Sequence, residues 1–265
     1  MSLSVATWNI NSVRLRIGLV QHFLARYRPH VLCLQETKCL NGNFPLKAFR
    51  KAGYRHVAVH GQKGYHGVAI ISRRALGSVD QRQFCGRADA RHIAATVEHR
   101  GRRITIHNFY VPAGGDEPDP KVNPKFAHKL SFISEMQGCM AAIAKPGSIL
   151  VGDLNVAPLE TDVWSHRQLL RVVSHTPVET EGLERVRAAG GWIDLMRHFV
   201  PPEEKLYTWW SYRSPNWEAS NRGRRLDHIW VTPDLVPQAR SLAVLKEARS
   251  WERPSDHVPV IAAFG

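Results

Sequence analysis

Short apolar runs rich in Val, Ile, Leu and aromatic residues recur from Leu3 to Ala262, and each ends beside a side chain that can bind a proton or a metal. Asn9 follows the run at 3–8, and Glu36 follows the run at 31–34. Asn108 and Tyr110 follow 103–107, and Asp153 and Asn155 follow 149–151. Asp227 and His228 precede 229–231, while Asp256 and His257 precede 258–262. Runs of this length and content read as strands. At a strand end a side chain leaves the core while its backbone stays held by the sheet, so rigid sites are built there. Carboxylate, amide, imidazole and phenol groups at so many ends point to one convergent site assembled by folding.

The intervals between the runs limit the architecture further. Strands are expected at 3–9, 31–35, 55–60, 67–72, 92–98, 102–109, 148–152, 226–231, 241–246 and 258–263. Apolar residues at helical spacing (Leu15, Leu19, Phe23) predict a helix over 13–27 that stops before Pro29, so the chain opens β-α-β. Phe126, Leu130, Ile133 and Met140 place a second helix at 125–144, ended by Pro146 and Gly147. A third is expected at 179–189, stopped by Gly190 and Gly191. Arg100 and Gly101 fit a hairpin turn, and the Pro-, Gly- and Asp-rich stretch 112–124 a long loop. No repeat or linker divides the chain. The expected fold is α/β, two packed sheets flanked by helices, in a single domain over residues 1–265.

With 43% hydrophobic and 22% charged residues, the chain has ordinary material for a globular core. No apolar stretch approaches the roughly 20 residues needed to span a membrane. The first residues run straight into a strand pattern without the layout of a secretion signal, so a cytoplasmic location is expected. The four cysteines have no CxxC spacing, which excludes the common zinc motifs. The net charge of +13 favours a polyanionic partner. Its placement favours phosphate contacts: Arg222, Arg224 and Arg225 abut the Asp227 strand, and Lys121, Lys125 and Lys129 follow Tyr110.

Each candidate has two readings from the residues alone. Glu36 is either a surface acid at a strand exit or an oxygen ligand for a hard cation, which needs few protein carboxylates because it keeps several waters. Asp153 and Asn155, at i and i+2, either form an Asx-turn or share one face, where one manages a proton and the other donates to a phosphoryl oxygen. Asp256 and His257 face opposite sides of a regular strand and meet in one site only if the turn reorients them. Asp227 is the natural partner to fix the His257 tautomer, although the chain has 14 histidines.

The motifs Trp8-Asn9-Ile10-Asn11, Leu34-Gln35-Glu36-Thr37-Lys38, Tyr110-Val111-Pro112, Gly152-Asp153-Leu154-Asn155-Val156-Ala157-Pro158, Tyr212-Arg213-Ser214, Asn221-Arg222-Gly223, Leu226-Asp227 and Ser255-Asp256-His257 occur in order along the chain. Together they resemble the exonuclease III family of abasic-site endonucleases, within the endonuclease/exonuclease/phosphatase superfamily. The resemblance implies a four-layer α/β sandwich with two packed mixed β-sheets flanked by helices. It also implies Mg²⁺-dependent cleavage of phosphodiesters, with Mn²⁺ as a substitute. The expected partner is double-stranded DNA with abasic sites or blocked 3′ ends, acted on by a monomer as endonuclease, 3′–5′ exonuclease and 3′-phosphatase.

Carried over by position, Glu36 matches the family's principal metal ligand. Asn9 and Asp256 complete the metal's surroundings directly or through water, with Asp153, Asn155 and His257 around them. Asp153 matches the acid that activates the attacking water, Asn155 an amide that stabilises the transition state, and Tyr110 the tyrosine near the phosphate. Asp227 and His257 match an orienting pair; whether Asp153 or His257 is the general base stays open. Lys121, Lys125, Arg91, Trp209, Trp210, Arg222, Arg224 and Arg225 are expected along the DNA. The chain departs from many relatives at Ala113, ahead of Gly114, and at Arg224, where relatives carry an apolar residue that helps form a damage pocket. A non-catalytic RNA-associated regulator of the same fold would have lost some of Glu36, Asp153 and His257. A phosphatase of inositol phosphates or sphingolipids fits the basic stretch 222–225 less well.

Overall fold

In the computed structural model, which describes residues 2–214 and 216–265, the opening of the chain is a parallel β-α-β unit. It comprises β1 (Leu3–Asn9), α1 (Ile17–Tyr27) and β2 (Val31–Gln35), with Asn9 opposite Gln35. Next come α2 (Leu46–Lys51), β3 (His56–His60), β4 (Val68–Ser72), β5 (Val79–Asp80), β6 (His92–His99) and β7 (Arg102–Tyr110). Then follow α3 (Pro124–Ile143), β8 (Ser148–Asp153), α4 (His166–Leu169), α5 (Pro177–Ala189), β9 (Ile193–Asp194) and α6 (Leu195–Phe199). The last part holds β10 (Trp209–Trp210), α7 (Trp217–Ser220), β11 (Gly223–Arg224), β12 (Asp227–Val231), β13 (Ala239–Val244) and β14 (Val260–Phe264).

These strands form two mixed six-stranded sheets, ordered β13-β14-β1-β2-β4-β3 and β5-β6-β7-β8-β12-β9, beside the small β10-β11 pair. Residues from both sheets, such as Val5, Val31 and Ile70 with Ile106, Val151 and Ile229, make one buried cluster between them. Phe23 and Leu24 of α1 and Phe49 of α2 cover the outer face of the first sheet. Phe132, Met136 and Met140 of α3 and Leu183 of α5 cover the second. The expected four-layer sandwich is present.

The sheets are also tied by polar contacts. Asn108 donates to the carbonyls of Leu34 and Ala69 (both 3.0 Å), and Gln35 donates to Asn108 Oδ1 (2.7 Å) and to Thr7 Oγ1 (2.9 Å). Asn108, grouped by sequence with the strand-end site residues, is a bridge inside the core.

Helix starts differ from expectation for local reasons. The first helix begins at Ile17 because Asn11 and Ser12 take positive φ (46° and 85°) and turn the chain, which leaves Leu15 59% exposed. Arg28, in the left-handed region at φ 47°, ends it before Pro29. Asn123 caps α3 by accepting from Lys125 N, with Pro124 at the first position. Helix α5 starts two residues before the expected Glu179, because Thr176 and Glu179 form a capping box ahead of Pro177. Glu179 also meets Lys129 of α3 at 2.5 Å, both side chains 0% exposed. Lys129, expected on the phosphates, is instead the buried partner that joins α3 to α5. Among the described residues no helix is long and apolar enough to cross a membrane.

Candidate active site

Strand register assembles the site. In the second sheet Tyr110 pairs with Asp153 across β7 and β8, and Asp153 pairs with Asp227 across β8 and β12, so three polar side chains stand in one row. In the first sheet β14 runs antiparallel to β1, which brings the segment before Val260 to the end of β1 that carries Asn9. Gly152 permits the close approach of β7 and β8: a Cβ there would collide with the Phe109 carbonyl, and its φ is 144°. Glu36 (φ 50°) and Asn155 (φ 53°) both sit in the left-handed region, and such strain concentrates at functional positions.

Asp153 is the hub. Its Oδ2 accepts from Asn9 Nδ2 (2.8 Å) and Asn155 Nδ2 (3.2 Å), and lies 3.6 Å from His257 Nε2. Its Oδ1 accepts from the Asn155 main-chain N–H (3.0 Å). On the other side of the imidazole, His257 Nδ1 meets Asp227 Oδ2 at 2.8 Å. Asn9 Nδ2 also donates to Glu36 Oε1 (2.8 Å), while Asn9 Oδ1 accepts from Asn11 N (3.0 Å). The Asn9 amide therefore turns its N–H groups to both carboxylates and orients them.

The electrostatics follow from burial and neighbours. Desolvation raises Asp153 to about 7; His257 opposes this and Asp227 adds to it. Burial alone would lower His257, but the Asp227 and Asp153 carboxylates carry it up to about 10. Glu36 is held below its usual value: burial would raise it, and Lys38 with the Asn9 hydrogen bond outweighs that. Tyr110 is raised well above its usual value by burial and then by Glu36 and Asp153. The His257 ring therefore stands between the Asp227 and Asp153 side chains and is favoured in its charged form.

Glu36, Asn155, Asp256 and His257 open onto a cavity of about 880 Å³. Asp256 Oδ2 accepts from Trp209 Nε1 (2.9 Å), so the turn does bring Asp256 and His257 to the same space. Several anchors were not anticipated from sequence. Lys38 Nζ lies 2.8 Å from Glu36 Oε2 and donates to Asn11 Oδ1 (2.6 Å). Trp8 Nε1 donates to the His257 carbonyl (3.0 Å), and Ser255 Oγ donates to the Asn9 carbonyl (2.7 Å). Thr208 Oγ1 accepts from Asp227 N (3.1 Å). Lys38, Trp8 and Ser255 stand inside the motifs already noted, the only signal the sequence offered.

A hard divalent cation fits these residues. Glu36, Asp153 and Asp256 offer carboxylate oxygens, which such ions prefer. Asp153, Asp227 and His257 each place a ligand atom within 4.8 Å of the others, and Asp227 Oδ1 is buried with no hydrogen-bond partner among the described residues. Glu36 already holds one positive charge, the Lys38 ammonium.

The nucleic-acid candidates divide. Arg222 and Arg224 line the cavity together with Trp209, and Lys121 and Lys125 are exposed. Trp210 also borders the cavity but is only 2% exposed, with Nε1 donating to Asn221. Arg91, 6% exposed, lies 4.9 Å over the Tyr110 ring and is held by Asp89 at 3.3 Å, so it braces the tyrosine. Arg225 is 0% exposed and bound by Asp162 (2.6 Å) and Asp194 (2.7 Å). It cannot reach a phosphate, because the link between β11 and β12 buries it and two carboxylates hold it there. Replacing Arg225 with alanine strands those acids, and a loss of about 3–5 kcal/mol is expected. Denaturant unfolding checks it, with an unchanged salt slope of DNA binding as the sign that Arg225 never touched phosphate.

A sequence profile of the Endonuclease/Exonuclease/phosphatase family matches residues 6–257. The chain belongs to that family, and the class its fold and site define is a hydrolase acting on DNA. It is 30% identical to exodeoxyribonuclease III of Haemophilus influenzae, over 97% of this chain and 98% of that protein. Among solved structures, an AP endonuclease from Archaeoglobus fulgidus superimposes with a TM-score of 0.90 at 31% identity, covering 99% of both chains. A 3′ phosphatase from Neisseria, bound to a product DNA hairpin, gives 0.89 at 31% identity with the same coverage. Nucleases of this family are metal-dependent, in keeping with the Asp and His cluster.

Proposed function

We propose that this chain is a Mg²⁺-dependent DNA-repair phosphodiesterase, an abasic-site endonuclease with 3′–5′ exonuclease and 3′-phosphatase activity on duplex DNA. The observation that carries the reading is the buried chain of Asp153, His257 and Asp227, which reaches the cavity at His257, with Asp153 raised to about 7 and His257 to about 10. A group near 7 can take a proton at physiological pH, whereas an imidazolium cannot. Asp153, which burial pushes toward its protonated form and which Asn9 and Asn155 position, is the proposed general base. His257, kept charged by Asp227, faces the scissile phosphate as a cationic donor, and Asn155 adds an amide donor. Tyr110, kept protonated, donates its hydroxyl toward the phosphate. Glu36 and Asp256, with Asn9 orienting Glu36, would hold the metal, which offsets charge on a phosphate oxygen.

The shared apolar core supports treating residues 1–265 as one domain. A monomer in the cytoplasm completes the reading. The test is incision of a duplex carrying one abasic analogue, after extended dialysis against EDTA and then with Mg²⁺ or Mn²⁺ restored. Cleavage is expected to vanish with chelator and return with either ion. Undiminished cleavage in EDTA overturns the metal assignment, and absence of cleavage with metal overturns the function.

A further inference from the structure

Arg224 stands in the wall of the cavity without a carboxylate of its own. Its Nη1 donates to the Val173 carbonyl (3.0 Å) and to Ser174 Oγ (2.8 Å), both neutral acceptors. Its Nε is buried with no partner among the described residues, and its guanidinium lies 5.3 Å from the centre of the Trp209 ring. The nearby carboxylate of Glu179 is already neutralised by Lys129. A half-buried guanidinium held by neutral acceptors leaves a surplus of positive charge facing the cavity. Ser174, which fixes it, is itself held at φ 87°.

The position relative to the reacting groups follows from the backbone. Trp209 bridges His257 on one side and pairs with Arg224 on the other. Two strand spacings separate Arg224 from His257, roughly 10 Å. Arg213 and Arg222 line the same cavity, so three guanidinium groups face it, against the carboxylates of Glu36, Asp116 and Asp256. Its ties to Val173 and Ser174 hold the Arg224 guanidinium beside the His257 position and not against it, where it can meet the neighbouring part of the bound strand. A bare deoxyribose offers only hydroxyls to that charge, whereas a phosphodiester offers a full compensating anion.

We propose that Arg224, held by Ser174, seats a phosphate that flanks the scissile one, and so selects for strands that keep an intact charged phosphodiester at that position. This rests on the phosphodiesterase reading above. The experiment uses matched duplexes in which one phosphate at a time, on either side of the cleaved bond, is an uncharged methylphosphonate, with wild type, Arg224→Gln and Arg224→Lys.

Neutralising one particular flanking phosphate should raise the wild-type KM about tenfold or more with little change in kcat. Arg224→Gln should ignore that same neutralisation and stay sensitive at the other positions; Arg224→Lys should keep part of the penalty. The salt slope of binding should also flatten by about one counterion in Arg224→Gln. A wild-type scan with no sensitive position overturns the proposal without any variant. Equal penalties in wild type and Arg224→Gln overturn it too. So does a coupling that follows loss of a flanking base instead of loss of charge, which would assign Arg224 to that base. A wild-type enzyme that cleaves none of the duplexes overturns the phosphodiesterase reading, a distinct outcome.

Discussion

Asp153→Asn is expected to lower turnover by about 10²–10⁴-fold, the range for a positioned general base, and to make the metal-free protein less sensitive to acid–base conditions. The amide keeps the shape of the group and one acceptor for the Asn155 N–H, but it can take no proton from water. Substrate binding should change far less, because the loss lies in the transition state. The stability effect has its own sign. Asp153 rises from 3.8 to about 7 on folding, so the folded protein binds its proton more tightly than the unfolded chain. That contribution is fully present below 3.8 and is lost as pH rises through about 7. The asparagine variant has no such titration, so its melting temperature should fall less than wild type across that window. Single-turnover cleavage and melts at several pH values check both. A variant with wild-type kcat removes Asp153 from the proton-transfer role.

The second large effect is at His257. His257→Ala removes the cation proposed to face the phosphate, and a loss of about 10²–10³ in kcat is expected, as for a single transition-state donor. Adding Asp227→Asn should cost little more, since Asp227 acts through the imidazole 2.8 Å away. Independent losses that multiply would show that Asp227 works by another route, such as binding the metal through its unpartnered Oδ1. Here too linkage gives a signature. His257 is raised from 6.5 to about 10, so its stabilising charge is fully present below 6.5 and is lost as pH rises through about 10. His257→Ala should flatten the alkaline fall of the melting temperature in the metal-free protein. The two variants therefore act on different pH windows.

Much of this site was legible before folding because strand ends are legible. Asp153 and Asn155 at i and i+2 lie at the end of a continuous apolar run, and they meet through an Asx-turn and not along an extended strand, with Asn155 at φ 53° donating twice to Asp153. The Asp227 and His257 pairing was expected from chemistry alone, since an imidazole needs a partner for its second nitrogen. The misassigned residues were the long cations. Lys129, Arg225 and Arg91 carry the same side-chain types as the exposed Lys121 and Arg222, and adjacency in sequence gives no sign of burial. Asn108 misled for a related reason: a polar residue near a strand end reads alike whether it faces the cavity or the opposite sheet.

Local chemistry determined the parts. Periodicity and capping residues set the strands and helices, and the polar ends of the apolar runs named nearly every group now found in the central row. Those features depend on a few neighbouring residues, so they can be read one segment at a time. Tertiary structure decided what the parts face. Whether Arg225 meets DNA or Asp162 depends on a carboxylate 63 positions away. Whether Lys129 is a phosphate contact or the tie between α3 and α5 depends on where Glu179 lands. The protonation of Asp153 and His257 likewise depends on burial and on charges brought together across two sheets. Electrostatic energies depend on distance through space and on local polarity, and neither is a property of the chain until it has folded.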